Sequence, residues 1–146
     1  MSASSHSGIA ASSIDKIDGI RYSDISSVAG TQRAASYFLD TYTGAKAAYS
    51  LRQLSSTATT AITVENSSGT TADIGFDSNG NLDTSALTTH CGSNYGRVSK
   101  WWDQSGNGNH MEQSTAASRP RIVDTSGNIV TTTDNSINAL DFYGNS

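Results

Sequence analysis

The clearest pattern of hydrophobic and polar positions lies in the middle of the chain and has a period of two. Ile62 and Val64 alternate with polar residues, and the alternation resumes at Ile74. The intervening Asn-Ser-Ser-Gly at 66–69 is a typical turn sequence. Alternation places successive side chains on opposite faces of a strand. The pattern therefore predicts a β-hairpin over residues 61–77.

A further strand is predicted at residues 96–103, where a short apolar and basic run ends in two tryptophans. Simple alternation places Val98 and Trp102 on one face, and Ser99 and Trp101 on the other. Large aromatic residues on opposite faces predict burial on both sides at this end of the strand.

Three short β segments are predicted near the C-terminus, at residues 121–123, 128–130 and 139–144. Ser126-Gly127 forms the turn between the first two. About five or six strands are predicted in all, fewer than two full sheets usually contain. The fold class that follows is mainly β: a partial β-sandwich or jelly roll, either incomplete or completed by another chain.

Helical patterns are short. Residues 45–54 are the best helix candidate, because Leu51, Leu54 and two alanines recur at helical spacing. Residues 83–87 predict a single helical turn that is capped by Asp83. The sequence therefore predicts one or two short helices beside the strands.

The N-terminal part of the chain has a different character, and we predict an extended arm over residues 1–44 before a β module over 45–146. Residues 14–19 and 25–30 repeat the order aliphatic, two polar, aliphatic, small or polar, glycine. Each repeat suits one helical turn that ends at its glycine, and neither is large enough to fold alone. Each must dock on the rest of the chain, a symmetry mate or another protein. The candidate docking residues are Ile14, Ile17, Ile25 and Val28.

Composition and charge narrow the classes of partner. Hydrophobic residues make up 35% of the 146 residues and charged residues 15%, and the net charge is −4. The nine lysines and arginines are scattered, so no basic footprint for nucleic acid is expected. No apolar run is long enough to span a bilayer. The N-terminus lacks the basic and apolar regions of a signal peptide, so no secretory signal is expected.

The single cysteine, Cys91, cannot form an internal disulfide. As a nucleophile it would need a neighbouring base and an electropositive setting to lower its pKa. Its sequence neighbour His90 points away in most backbone conformations. We expect an inert, partly buried thiol.

The densest motif is WWDQSGNGNH at residues 101–110, which predicts either the start of a calcium loop or a tight turn. A calcium loop of the EF-hand type needs a bidentate carboxylate at its twelfth position. Ser114 occupies that position, and Glu112 comes two residues early. Alternating asparagine and glycine also suit tight turns. We therefore predict a structural turn and no bound metal. The residues of this turn motif are Asp103, Ser105, Asn107 and Asn109.

No constellation for catalysis stands out in the sequence. The thirteen carboxylates lie mostly beside turn-forming residues, and no pair suggests glycoside hydrolysis. His6, His90 and His110 lack the spacing of metal ligands. Gly106-Asn107-Gly108 is not followed by the Lys-Ser/Thr of a phosphate loop. We predict no enzymatic activity, no catalytic residue and no cofactor.

Five segments of the chain nevertheless form an ordered set: Ala47–Arg52, Asp73–Phe76, Leu82–Leu87, Trp101–Asn109 and Ala139–Gly144. In this order they resemble one family, the laminin-G-like, concanavalin-type jelly-roll module of bacteriophage tail-fibre and virion proteins. The resemblance covers residues 45–144. The stretch Asp103–His110 is also similar to the catalytic domain of α-L-arabinofuranosidase B.

The resemblance implies a non-enzymatic virion structural protein of the tail-fibre or capsid-attached fibre type. The repeats at 14–30 resemble N-terminal segments of predicted marine-phage fibre proteins. The arm would dock on other virion proteins, and the module would project or form a homotrimer, with attachment to a host-surface glycan as a further expectation. The expected location is the virion, after synthesis in the host cytoplasm.

The alternative implied by the arabinofuranosidase resemblance is a glycan-binding module or a fragment of a glycoside hydrolase. The family's catalytic carboxylates lie downstream of the Asp-Gln-Ser-Gly-Asn-Gly-Asn segment, so no catalytic residue is carried over to this chain. Trp101, Tyr95 and Tyr143 are the aromatic residues that could stack on sugar rings, although Trp101 and Trp102 are expected to lie in the core.

Overall fold

The computed structural model describes residues 16–17, 20–21, 37–133 and 137–142. The chain divides into two compact units, Met1–Ala34 and Ala35–Ser146. The second unit thus begins at Ala35 rather than at residue 45.

In the first unit, strand β1 (Lys16–Ile17) pairs antiparallel with strand β2 (Ile20–Arg21), and Ile17 lies opposite Ile20. The predicted helical turn is wrong at Ile17. The sequence between the strands is Asp-Gly, which favours a two-residue hairpin connection, and isoleucine favours strands. The other candidate docking residues, Ile14, Ile25 and Val28, lie outside the described residues, so docking stays a prediction.

The first helix of the second unit is a single turn, α1 (Phe38–Thr41). It forms hydrogen bonds with residues of the β module. The Leu39 N–H donates to the carbonyl of Leu54 at 2.8 Å. The backbone N–H of Ser56 donates to both carboxylate oxygens of Asp40, at 3.1 and 3.2 Å. These bonds make the last residues of the predicted arm part of the module.

The predicted hairpin is confirmed. Strand β3 (Thr60–Asn66) pairs antiparallel with strand β4 (Thr71–Gly75). In the turn, the Asn66 side chain accepts from the N–H groups of Ser68 at 3.0 Å and Thr70 at 3.1 Å. The side chain thus holds the turn that the sequence predicts.

Helix α2 (Thr84–Cys91) follows and is longer than the single turn predicted. Its predicted cap is confirmed, since Asp83 accepts from the Ala86 N–H at 2.9 Å. Leu87 and Cys91 are buried against the sheet. Burial raises the pKa of the Cys91 thiol, which keeps it protonated at neutral pH.

Strand β5 (Gly96–Trp101) is central, and strands β6 (Met111–Glu112) and β7 (Arg121–Val123) both pair with it. The sheet runs β4-β3-β5-β6, with all pairs antiparallel. Single bridges join Val123 to Ile129 and Arg121 to Asp141, so the predicted C-terminal segments lie beside β7. The fold class is confirmed as mainly β, consistent with a partial β-sandwich.

Strand β6 was not predicted, because two exposed residues are too few to show a period. The predicted helix over residues 45–54 is wrong: the segment has no helical turn. The loop after β5 binds backbone groups of this segment instead. No helix within the described residues has the length and hydrophobicity of a membrane-spanning segment.

A β-bulge in β5 decides which side chains share a face. Thr63 lies opposite Lys100, but the next residue of β3, Val64, lies opposite Val98. Ser99 is therefore an extra residue on β5, and the alternation changes phase at that point.

The predicted faces of this strand are consequently wrong. Val98 and Trp101 both lie on the core face, opposite Val64 and Ile62. Trp102 falls outside the core cluster. Both tryptophans are half-buried rather than buried on both sides as predicted.

The core occupies one face of the sheet. It joins the apolar side chains of β3, β4, β5 and β7 to those of α2 and of the segment before it. The largest fully buried side chains are Ile62, Ile74, Leu87, Ile122, Val64 and Val123.

Candidate functional site

The loop over residues 103–109 leaves the end of β5 and is organised around the carboxylate of Asp103, which is only 7% exposed. Its Oδ1 accepts from the N–H groups of Ala48 at 2.8 Å and Ser105 at 2.9 Å. Its Oδ2 accepts from the Ser105 hydroxyl at 2.8 Å and the Asn109 N–H at 3.1 Å. One buried carboxylate thus binds four donors from two parts of the chain.

These donors determine the charge state of Asp103. Burial by itself raises the pKa of Asp103, but the hydrogen bonds from Ser105, Ala48 and Asn109 outweigh it and hold the pKa below its ordinary value of 3.8. The group is therefore ionised at neutral pH. A cation at this carboxylate would have to displace N–H and O–H groups that already face both oxygens.

Gln104, 5% exposed, binds the segment that the sequence predicts to be helical. Its Oε1 accepts from the Leu54 N–H at 2.7 Å, and its Nε2 donates to the carbonyls of Ser50 at 2.9 Å and Arg52 at 3.0 Å. Its backbone N–H donates to the carbonyl of Ala48 at 2.8 Å. Because these bonds take backbone groups that a helix would pair internally, the segment forms no helix.

The remaining residues of the predicted turn motif bind the start of the same segment. Ser105 Oγ donates to the carbonyl of Lys46 at 3.3 Å, and Asn109 Nδ2 donates to the same carbonyl at 2.7 Å. Asn107 Nδ2 donates to the carbonyl of Ala45 at 2.9 Å. Both amides therefore present N–H groups, where a calcium ligand would present oxygen.

Two glycines give the loop its curvature. Gly106 and Gly108 have φ angles of 85° and 73°, in the left-handed region that glycine adopts most readily. Within the described residues, no group of three or more His, Cys, Asp or Glu side chains could hold a metal ion. We call residues 103–109 the clamp loop, because its side chains hold residues 45–54 against the sheet.

A second feature is the polar face of the sheet, opposite the core. Trp102 Nε1 donates to Thr63 Oγ1 at 2.9 Å, and the Thr63 hydroxyl donates to Asp73 Oδ1 at 2.6 Å. The Lys100 ammonium lies 4.7 Å above the centre of the Trp102 ring and 2.7 Å from Glu112 Oε1. These groups line a groove of about 610 Å³, the polar groove.

The Arg119 side chain also lines the polar groove. Its Nε donates to the carbonyl of Gln113 at 2.7 Å, and its Nη1 lies 2.8 Å from Glu65 Oε2. Arg119 thus ties the segment after β6 to β3. The sequence did not predict the groove. The bulge at Ser99 turns Trp102 away from the core, and the pattern of hydrophobic and polar residues does not show that a bulge is present.

A third feature is an apolar area beside the core, which we call the apolar face: Trp101, Met111, Ile137, Leu140 and Phe142. Met111, Ile137 and Phe142 are 45%, 61% and 65% exposed. Trp101 and Leu140 also pack against the core. Two grooves of about 180 and 410 Å³ share Trp101, Leu140 and Phe142 as walls. The core therefore continues into an area that no described residue covers.

The other aromatic residues named from the sequence lie elsewhere. The Arg97 guanidinium lies 4.8 Å from the centre of the Tyr95 ring. Tyr143 lies outside the described residues. The rings best placed to meet a ligand or partner are thus Trp102 in the polar groove, and Trp101 with Phe142 on the apolar face.

No family model matches the chain, and no curated protein does. Two solved structures do. An arabinofuranosidase complexed with arabinofuranosyl-α-1,2-xylobiose is 32% identical over 52% of this chain and 17% of its own, with a TM-score of 0.46. A GH54 α-L-arabinofuranosidase soaked with a cyclic sulfate inhibitor is 31% identical over 63% of this chain and 20% of its own, also with a TM-score of 0.46.

The chain thus spans at most a fifth of the length of these two structures. Part of the chain is similar to arabinofuranosidases, in keeping with the resemblance of Asp103–His110 to that family. Neither comparison bears on the resemblance to phage modules, which stays a prediction.

Proposed function

We propose that this chain is a non-enzymatic structural module of a bacteriophage virion protein that associates with copies of itself through the apolar face. The arm docks the protein on other virion proteins of the capsid or tail, and the module projects from the particle as a homotrimer. The observation that supports self-association is the apolar face, where the core face of the sheet continues without cover.

Exposure of this face is costly for an isolated module. Phe142 and Ile137 are large apolar side chains, both more than half exposed. Burial of such a side chain contributes about 1.5–3 kcal/mol. Contiguous exposed apolar areas on a small protein commonly mark contact surfaces, and an incomplete sandwich exposes such an area at its open side.

The hydrogen bonds of the clamp loop also support a structural role for this protein. The side chains of Asp103, Gln104 and Asn107 all bind backbone groups of residues 45–54. Both oxygens of the loop's single carboxylate already accept hydrogen bonds from the chain itself, so neither is free to bind a substrate. The most recognisable motif of the chain thus stabilises the module.

Self-association is tested by sedimentation velocity of the full chain over a range of concentrations. We expect a concentration-dependent oligomer, with three copies as the stoichiometry. Phe142→Ser should raise the dissociation constant about tenfold or more, since one buried aromatic contributes at least 1.4 kcal/mol. Phe38→Ser is the matched control, because Phe38 is 60% exposed but lines neither groove of the apolar face.

The control should associate like the wild type. A wild type that stays monomeric at every concentration, or equal effects of the two substitutions, would contradict self-association through the apolar face. Arm docking is tested separately, by asking whether intact particles bind the full chain but not the quadruple variant with serine at Ile14, Ile17, Ile25 and Val28.

The second candidate function is saccharide binding in the polar groove. The groove combines carboxylates, hydroxyls and cations beside a half-buried tryptophan. Sugar hydroxyls both donate and accept hydrogen bonds, so they suit a lining of mixed donors and acceptors. Asp73 is exposed and already accepts one bond from the Thr63 hydroxyl, which orients its carboxylate toward the groove.

A glycan array, followed by calorimetry on any bound sugar, tests this candidate. If it holds, Asp73→Asn should weaken binding about tenfold, because a charge-assisted hydrogen bond is lost. Thr71→Ala is the control, since Thr71 lies on the same strand but outside the groove lining. Equal affinity of wild type and Asp73→Asn would place the sugar elsewhere. Hydrolysis of an arabinofuranoside would instead contradict a non-enzymatic role.

A further inference from the structure

The two histidines within the described residues form opposite kinds of hydrogen bond. His90 Nε2 lies 3.1 Å from the carbonyl of Val64, and a carbonyl only accepts, so this ring nitrogen is a donor. The backbone N–H of Asp103 donates to His110 Nδ1 at 3.1 Å, so that nitrogen is an acceptor. A neutral imidazole has one acceptor nitrogen, whereas a protonated imidazole has none. Protonation therefore preserves the bond of His90 and removes the acceptor at His110.

The bond at His110 belongs to the clamp loop. It holds the backbone N–H of Asp103, whose carboxylate accepts from the N–H groups of Ala48 and Asn109. Asp103 is 7% exposed, so water does not readily replace a lost acceptor, and a buried donor without a partner is costly. The position of the Asp103 carboxylate thus depends on the protonation state of a ring seven residues further along the chain.

The charged groups around His110 do not replace this bond when the ring is protonated. The His110 and Trp102 rings pack with 4.5 Å between their centres, and the Lys100 ammonium lies 4.7 Å from the centre of the same Trp102 ring. An imidazolium would therefore share that ring with a second cation. Two neighbouring carboxylates are already bonded, Glu112 to Lys100 at 2.7 Å and Asp103 to four donors. The other titratable groups nearby are the Tyr49 hydroxyl, which donates to the carbonyl of Asn109, and Asp73 and Arg119 in the polar groove.

We propose that His110 is a pH-sensitive contact of the clamp loop: when Nδ1 takes up a proton, the Asp103 N–H loses its acceptor and the loop loosens its hold on residues 45–54. Histidine is the side chain that ordinarily changes charge between about pH 5 and 8, so the contact responds to mild acid. This response is separate from the titration of the Asp103 carboxylate, whose pKa lies below its ordinary value of 3.8.

Nuclear magnetic resonance of the nitrogen-15-labelled full chain tests the proposal between about pH 7.5 and pH 5. The nitrogen shifts of the His110 ring report its protonation. Exchange of the Asp103 N–H, corrected for the intrinsic effect of pH on amide exchange, reports the bond. As the ring takes up its proton, we expect the protection of the Asp103 N–H to fall about tenfold, because a bonded donor must open before it exchanges.

Two variants separate this contact from other effects of acid. His110→Asn places an acceptor oxygen near the position of Nδ1 and has no titrating group, so its Asp103 protection should not change over the same range. His90→Gln is the matched control. It removes the other described histidine but keeps a donor for the Val64 carbonyl, and it should respond to acid like the wild type.

Three outcomes overturn the proposal. The first is unchanged protection of the Asp103 N–H while the His110 ring becomes protonated. The second is an equal fall of protection in His110→Asn, and the third is a ring that stays neutral down to pH 5. If His110→Asn does not fold, the wild type still decides between the first outcome and the expected one, because ring and amide are followed in the same sample.

Discussion

Replacement of Asp103 by alanine is expected to lower the free energy of unfolding by about 3 kcal/mol at pH 7. The substitution removes an acceptor of four hydrogen bonds. It also leaves the N–H groups of Ala48 and Asn109 without their acceptor. Chemical denaturation at pH 7 measures the loss, and the slope of the transition shows whether the folded state has become less compact.

The matched control is Asp73→Ala. Asp73 is exposed and accepts one hydrogen bond, from the Thr63 hydroxyl. Its removal should change the free energy of unfolding by about 0.5 kcal/mol or less. Equal losses for the two substitutions would mean that the clamp loop does not stabilise the module.

The effect of Asp103 should depend on pH with a definite sign. The folded state holds the pKa of Asp103 below its ordinary value of 3.8, so the folded protein binds this proton less readily than the unfolded chain. The stabilisation is therefore fully present above the ordinary pKa, and is lost as the pH falls through the folded value. The stability difference between wild type and Asp103→Ala should shrink below about pH 4.

Replacement of Gln104 by glutamate is expected to be at least as damaging at neutral pH, with a loss of about 4 kcal/mol. The side chain keeps nearly the same shape and can still accept from the Leu54 N–H. Its second oxygen, however, would face the carbonyls of Ser50 and Arg52, which now accept from Nε2 at 2.9 and 3.0 Å. A buried charge would thus lie beside two acceptors with no donor between them.

Protonation of the new carboxyl restores a donor, so this variant should recover part of its stability as the pH falls toward 4. That slope is opposite to the one expected from Asp103. Gln113→Glu is the control, because Gln113 is half-buried and bonds its own turn through the Thr115 N–H at 3.0 Å. Denaturation at pH 7 and pH 4.5 checks both variants, and a Gln104→Glu protein as stable as the control at pH 7 would refute the argument.

The predictable part of this fold is local. The hairpin β3–β4 follows from alternation on both sides of an Asn-Ser-Ser-Gly turn, and Asp83 caps α2 through an N–H three residues away. In each case the deciding contacts join residues close in sequence, so a short window contains the information.

The helix predicted over residues 45–54 shows why the rest was not predictable. Its spacing favours a helix, but Asp103 and Gln104, about fifty residues further along, bind its backbone groups. Helix propensity amounts to at most about 1 kcal/mol per residue, apart from proline. A set of buried hydrogen bonds to another segment outweighs it, and no local pattern reports such a set.

The positions of Trp101 and Trp102 could not be predicted from the sequence for a similar reason. Alternation assigns Trp102 to the face of Val98, whereas the extra residue Ser99 moves it to the polar groove and leaves Trp101 beside the core. A bulge depends on how two strands pair, so it is a property of the sheet rather than of either strand.

The sequence by itself determined that this protein is mainly β, that a central hairpin lies in the region 61–77, which the structure bounds at Thr60 and Gly75, and that a strand beginning at Gly96 leads into its most recognisable motif. Only the tertiary structure decided that the motif clamps residues 45–54, that Trp101 and Trp102 face opposite sides, and that an apolar face stays open beside the core. The physical reason is distance along the chain. The alternation of the strands, the hairpin turn and the helix cap are set by neighbouring residues. The clamp loop, the β-bulge and the apolar face arise from contacts between segments that are far apart in the sequence.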